Sequence, residues 1–123
     1  MVSKSKAKSG IEIDLFGLGW RSFEQMVQSL SIKILGPGVV VFGDGPDGGR
    51  EATTNGKIPF PSSKNNWDGY AVIQAKFKQR TEGTNADGKW ALDELRGELE
   101  KFSDPTKELT CPDYYIFATN VVL

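Results

Sequence analysis

Histidine is absent from the 123-residue chain and cysteine occurs once, at Cys111. Without histidine neither a His/Cys zinc site nor a His-based catalytic triad can be assembled, and one cysteine cannot build an internal disulfide framework. Most hydrolase chemistry is thereby excluded, with carboxylate–metal sites remaining. Long apolar runs are missing too: stretches such as Val39-Val40-Val41-Phe42 fall far short of the roughly 20 residues that a membrane helix needs. Charge of one sign does not dominate either. The formal net charge is −1, so contact with nucleic acid must come from a local basic patch and not from the overall field. The first ten residues carry Lys4, Lys6 and Lys8 with no apolar segment behind them, which excludes a secretory signal and reads as a leader over residues 1–21. With neither export signal nor disulfide, a reducing cytoplasm is the expected compartment.

Apolar content is sufficient for one core. At 38% hydrophobic and 11% aromatic residues, the chain has the composition of a single globular domain, expected over residues 22–123. Ser22-Phe23-Glu24-Gln25 has the form of a capping box, and Phe23, Met26, Val27, Leu30 and Ile34 recur at helical spacing, predicting a helix over about 22–35. Gly36-Pro37-Gly38 stops it. The run Val39 to Phe42 reads as a short buried strand and residues 43–49 as a glycine-rich bend. Residues 50–54 then extend, Asn55-Gly56 signals a hairpin turn, and residues 57–66, with Pro59 and Pro61, read as a loop or hairpin tip.

The next strand, residues 70–77, starts apolar on both faces, as in a central strand covered on each side. Toward its end Gln74 and Lys76 share one face and Ala75 and Phe77 the other, because side chains alternate with period two. Ala91, Leu92, Leu95, Leu99 and Phe102 form the apolar stripe of a second helix ended by Asp104-Pro105, and residues 114–120 form a last strand. The order is helix, three strands, helix, strand. The apolar end Val121-Val122-Leu123 reads as a domain cut from something longer.

Polar residues with chemical potential gather around three of these elements: Glu24 on the first helix, Asp47 and Glu51 beside the glycine bend, and Gln74 with Lys76 on the central strand. Oxygen donors of this kind suit Mg²⁺ or Mn²⁺, which activates water and neutralises a phosphoryl oxygen. A lysine two residues from a ligand can stabilise the charge that builds on phosphorus or help deprotonate the water. Simpler readings stand beside these. Asp47 and Glu51 serve a turn, Gln74 and Lys76 are polar residues at a strand exit, and Glu24 borders an exposed helix face. Gly43-Asp44-Gly45-Pro46-Asp47-Gly48 satisfies G-x-G-x-x-G, but no helix opens there and two aspartates stand where a pyrophosphate would lie, against a dinucleotide site. Lys78, Arg80 and Arg50, with Lys57 and Lys64, are candidates for phosphate contact or plain surface charge. Trp67, Trp90 and Tyr70 read as packing residues ahead of the alternative, base-stacking platforms, and Cys111 has no neighbouring pattern that would make it reactive.

Pro46-Asp47-Gly48-Gly49-Arg50-Glu51-Ala52, then 21 residues, then Gln74-Ala75-Lys76 resembles the PD-(D/E)XK nuclease superfamily, in particular its Mrr-like restriction endonuclease branch with a QxK variant. The resemblance covers the chain from about Phe23 to Asn120. It implies a restriction-endonuclease-like α/β fold, an αβββαβ core with a central mixed sheet flanked by helices. It also implies metal-dependent hydrolysis of phosphodiester bonds in double-stranded DNA. By the family pattern Glu51, which opens the second strand, is a metal ligand with Asp47 as its neighbour. Gln74 takes the place of the usual Glu, Lys76 is the family lysine, and Glu24 is the helix-one acid beside the site. Glu51 stands where Asp is more common, and Gln74 brings a neutral amide in place of a charge. Mrr-like domains that resemble this chain occur as N-terminal effectors of STAND-type ATPases in bacterial antiviral defence, which implies a homo-oligomer formed through a larger parent protein. The alternative is a nuclease-fold module that no longer cleaves and serves nucleic-acid binding or self-association.

Overall fold

The computed structural model describes residues 14–42, 52–62, 64–107 and 109–122. After a single 3-10 turn (Phe16–Leu18) come α1 (Trp20–Leu35), β1 (Val40–Val41), β2 (Ala52–Pro61), β3 (Asn66–Lys76), α2 (Thr84–Ser103) and β4 (Tyr114–Thr119). The element order expected from the sequence is therefore present. The four strands form one mixed sheet in the order β1-β2-β3-β4, with β1, β2 and β3 antiparallel and β4 parallel to β3.

α1 begins at Trp20 behind Gly19, whose carbonyl accepts the Phe23 N–H at 3.0 Å, and no side chain caps it. Ser22-Phe23-Glu24-Gln25 thus lies inside the first turn and is not the cap. Its buried residues are Phe23, Val27, Ser31 and Leu35, four apart, so Leu30 and Ile34 of the expected stripe are exposed. Ser31 is accommodated because its hydroxyl donates to the Val27 carbonyl at 2.7 Å. Gly36, at a φ of 102°, closes the helix as expected by donating its N–H to Ile32.

The sheet corrects two local expectations. The run Val39 to Phe42 contributes only the two-residue edge strand β1, whose valines are exposed and not buried; with only the two rungs Val40↔Thr53 and Val41↔Ala52, the strand has β2 on one side and, among the described residues, no strand on the other. Asn55-Gly56 is not a turn. β2 runs through it, with Gly56 opposite Gly69, and its pairing with β3 continues to Pro61↔Asn66. Continuous pairing on both sides of the dipeptide, from Ala52↔Ile73 to Ile58↔Trp67, outweighs its local turn preference. At the far end of this hairpin Trp67 stacks on Tyr114 (centroids 4.3 Å, planes 6° apart) and meets Phe60 edge-on, so Trp67 is a packing residue.

Alternation assigns the faces. Ile73 and Ala75 of β3, Ala52 and Ile58 of β2, and Ile116 and Ala118 of β4 pack with Phe23, Val27 and Leu35 of α1. Gln74 and Lys76 point to the opposite face, under α2. Two reciprocal clips tie β4 to β3. Tyr70 N–H donates to Asp113 Oδ2 (2.9 Å) while Asp113 N–H donates to the Tyr70 carbonyl (2.8 Å). Lys78 N–H donates to Asn120 Oδ1 (2.8 Å) while Asn120 Nδ2 donates to the Lys78 carbonyl (3.0 Å). A Cβ on Gly69 would lie 2.5 Å from Asp113 Oδ2. Gly69→Ala is therefore expected to cost about 1–3 kcal/mol in urea unfolding, the scale of overpacking. An unchanged midpoint would mean that the Asp113 clip yields freely.

Candidate functional site

The site is built where β3 leaves the core beneath α2. Period-two alternation brings Gln74 and Lys76 to one face, and the parallel pairing of β4 places Tyr115 beside them. Gln74 is 0% exposed. Its Nε2 donates to Glu98 Oε1 at 2.9 Å, and its Oε1 accepts the Tyr115 hydroxyl. Glu98, 4% exposed, also takes the Lys76 ammonium on Oε2 at 2.6 Å and that of Lys101 at 3.1 Å. Glu94 stands 3.6 Å from Lys76. One buried carboxylate thus holds both residues of the QxK pattern.

Burial opposes the charged forms here, and the partners overcome it. For Lys76, desolvation works to lower the pKa, but the hydrogen bond and charge of Glu98, then Glu94, hold it above the ordinary lysine value. For Glu98, burial pushes upward and is outweighed by the bonds from Lys76, Gln74 and Lys101, so its carboxyl stays below the usual range. Tyr115 is pushed well above an ordinary phenol by burial and by the negative Glu98, which keeps its hydroxyl a donor to Gln74. Lys76 is consequently a fixed cation at neutral pH and not a proton acceptor.

Glu98 was not among the expected site residues. The leucines suggested that Leu92, Leu95 and Leu99 face the sheet, yet the buried residues of α2 are Asp87, Ala91 and Glu98. The helix turns acids toward the strand end because two polar side chains wait there, one of them charged. A signal was present: Asp87, Ala91, Glu94, Glu98 and Lys101 recur at spacings of three and four, a polar face matched to Gln74 and Lys76.

The remaining expected residues distribute as follows. Glu24 is half-buried on α1, the helix that packs the other face of the sheet. Lys78 is nearly buried, and its ammonium is held by Glu82 (2.6 Å), the Arg80 carbonyl (3.0 Å) and, at 3.5 Å, Asp87. Arg80 is exposed. Asp87 in turn accepts from Thr81 Oγ1 and Glu82 N–H, bonds that, with Lys78 opposite, hold its carboxyl below the usual range; it fastens the loop to the start of α2. Asp47, Arg50 and Glu51 lie outside the described residues.

A hard divalent cation asks for several oxygen donors. Among the described residues no group of three or more acidic or cysteine side chains is placed to hold one. Gln74 supplies one amide oxygen, already bonded to Tyr115, and both Glu98 oxygens are occupied by donors. The described donors do not by themselves fit such an ion. No helix among the described residues is long and apolar enough to cross a membrane. Comparison with protein-family models, curated proteins and solved structures finds no match to this chain.

Proposed function

We propose that the chain is a metal-dependent endonuclease domain of the PD-(D/E)XK type, hydrolysing phosphodiester bonds in double-stranded DNA as an effector within a larger bacterial defence protein. The observation that carries this reading is the pairing of Gln74 and Lys76 on one face at the exit of a central strand, inside a helix, three strands, helix, strand order. A further support is the sheet register. The rung Ala52↔Ile73 is adjoined in sequence by Glu51 on one side and Gln74 on the other, the two residues the family pattern gives as ligands. Mg²⁺ or Mn²⁺ would be held by the carboxylates of Glu51 and Asp47, joined by Gln74 only if its amide oxygen exchanged the Tyr115 hydroxyl for the ion, and would supply a nucleophilic water and charge neutralisation.

The chain's own residues divide the remaining work. Lys76, kept charged by Glu98, offers an ammonium to a phosphoryl oxygen whose negative charge grows during attack. It does not take a proton from water, since its partners favour the protonated form. Glu98 and Lys101 hold that ammonium in place, and Arg80, exposed beyond the strand, is available to a neighbouring phosphate. A second reading, a module that binds nucleic acid without cutting it, is favoured by one observation: the amide of Gln74 and the ammonium of Lys76 are both satisfied inside the protein.

Nicking of supercoiled plasmid separates the two. The nuclease reading expects cutting with Mg²⁺ or Mn²⁺ that EDTA removes; plasmid bound but intact under the same conditions supports the binding module. Within the nuclease reading Glu51→Ala is expected to cost more activity than Asp47→Ala, by about tenfold or more, the scale on which metal-site residues act. The reverse order would transfer the main ligand role to Asp47.

A further inference from the structure

Gln74 is fully buried at the end of β3 and is engaged at both ends of its amide. Its Nε2 donates to Glu98 Oε1 of α2 at 2.9 Å, and its Oε1 accepts the Tyr115 hydroxyl of β4. The position therefore asks for a donor on one side and an acceptor on the other. At neutral pH an amide of this length offers both. An ionised glutamate would accept from Tyr115 but would set a second carboxylate against Glu98. A hard divalent cation makes the opposite demand, since it is held more tightly as the charge of its oxygen ligands rises. The residue present thus fits the network and not the ion.

What the amide fixes is the Glu98 carboxylate. The terminal torsion of a glutamate is soft, so its own rotamer does not decide which oxygen faces where. Gln74 takes Oε1 and leaves Oε2 to the Lys76 ammonium at 2.6 Å. Two residues on one strand face, two apart, thereby share the two oxygens of one acid. Lys101, which also reaches Oε2 at 3.1 Å, stands on the same helix as Glu98 and ties it only to α2. Tyr115, braced edge-on by Phe102 with centroids 6.0 Å apart, sets the sense of the amide: with Oε1 toward the hydroxyl, Nε2 faces the acid.

We infer that Gln74 is a positioning residue and not a metal ligand: oriented by Tyr115, its amide fixes the Glu98 carboxylate and, through it, the Lys76 ammonium. The inference rests on the nuclease reading only for the use to which that ammonium is put.

Exchanging the two side chains in the full chain tests it. Gln74→Glu is expected to lower the melting temperature at neutral pH by about 5–10 °C, because two carboxylates then face each other. Adding Glu98→Gln rebuilds the donor–acceptor pair in the reverse sense and keeps one negative charge beside Lys76. The double variant is expected to recover most of that loss, whereas losses that simply add overturn the inference. Should Gln74→Glu not fold, a folded double variant gives the same support and an unfolded one overturns it. Mn²⁺ binding, followed by the paramagnetic resonance of the free ion, should stay within about threefold of wild type in both variants; tightening by about tenfold or more in Gln74→Glu, as an amide ligand replaced by a carboxylate would produce, overturns it as well. In plasmid cleavage Gln74→Glu should lower the rate at saturating Mn²⁺ by about tenfold with the half-saturating Mn²⁺ unchanged, and the exchange should restore it. A wild-type chain that leaves plasmid intact defeats the nuclease reading, and the melting and Mn²⁺ measurements then decide the inference by themselves.

Discussion

Lys76→Ala is expected to reduce metal-dependent plasmid cleavage about 10³-fold while the domain stays folded. The size follows from what is removed: a charge donor aimed at developing negative charge in a partly dry site is worth about 10²–10³ in rate. Lys76 is half-buried and its ammonium sits 2.6 Å from Glu98, so its position does not depend on substrate. The fold should survive because Glu98 keeps two of its three donors, Gln74 and Lys101. Lys76→Arg is expected to recover only part of the activity, since a planar guanidinium cannot occupy the same point between Glu98 and Glu94. Cleavage by Lys76→Ala at the wild-type rate, with thermal melting confirming a folded protein, would remove the mechanism.

Glu98→Ala is expected to be the most destabilising single change at the site, at about 3 kcal/mol, the lower end of the cost of leaving a buried ion pair without one partner. It removes the Glu98 acceptor of the buried Gln74 amide and the nearer of the two anions at the Lys76 ammonium, leaving Glu94 at 3.6 Å. Chemical denaturation measures the loss, and Glu98→Gln, which preserves one acceptor oxygen, should cost less. The carboxyl of Glu98 lies below its unfolded value. Its contribution is therefore present above the ordinary carboxylate range and fades as the pH falls through it. Lys76 lies above its unfolded value, so its contribution is full below the ordinary lysine range and fades as the pH rises beyond it. Stability should form a plateau between those limits, and Glu98→Ala should flatten both shoulders. A variant as stable as wild type at neutral pH, with unchanged shoulders, would mean that the network is held by something other than this carboxylate.

Much of this architecture is readable from residue order because its signals are local. The stop at Gly36, the alternation that turns Gln74 and Lys76 to one face and the break at Asp104-Pro105 depend on chain geometry within a few residues. Where the local signal competes with pairing, it loses. Asn55-Gly56 carries strong turn chemistry, yet a ladder from Ala52 to Pro61 carries the strand past it, since continuous hydrogen bonding outweighs one dipeptide's preference.

The amino-acid order by itself determined the succession of elements and the common face of Gln74 and Lys76. Only the tertiary structure decided the rotation of α2, and with it the identity of the buried anion. Apolar periodicity names a stripe without saying what lies opposite. Because β3 presents an amide and an ammonium at its end, the lower free energy comes from burying Glu98 against them and leaving Leu92 and Leu99 outside, since a buried amide and a half-buried cation without an acceptor cost more than half-exposed leucines.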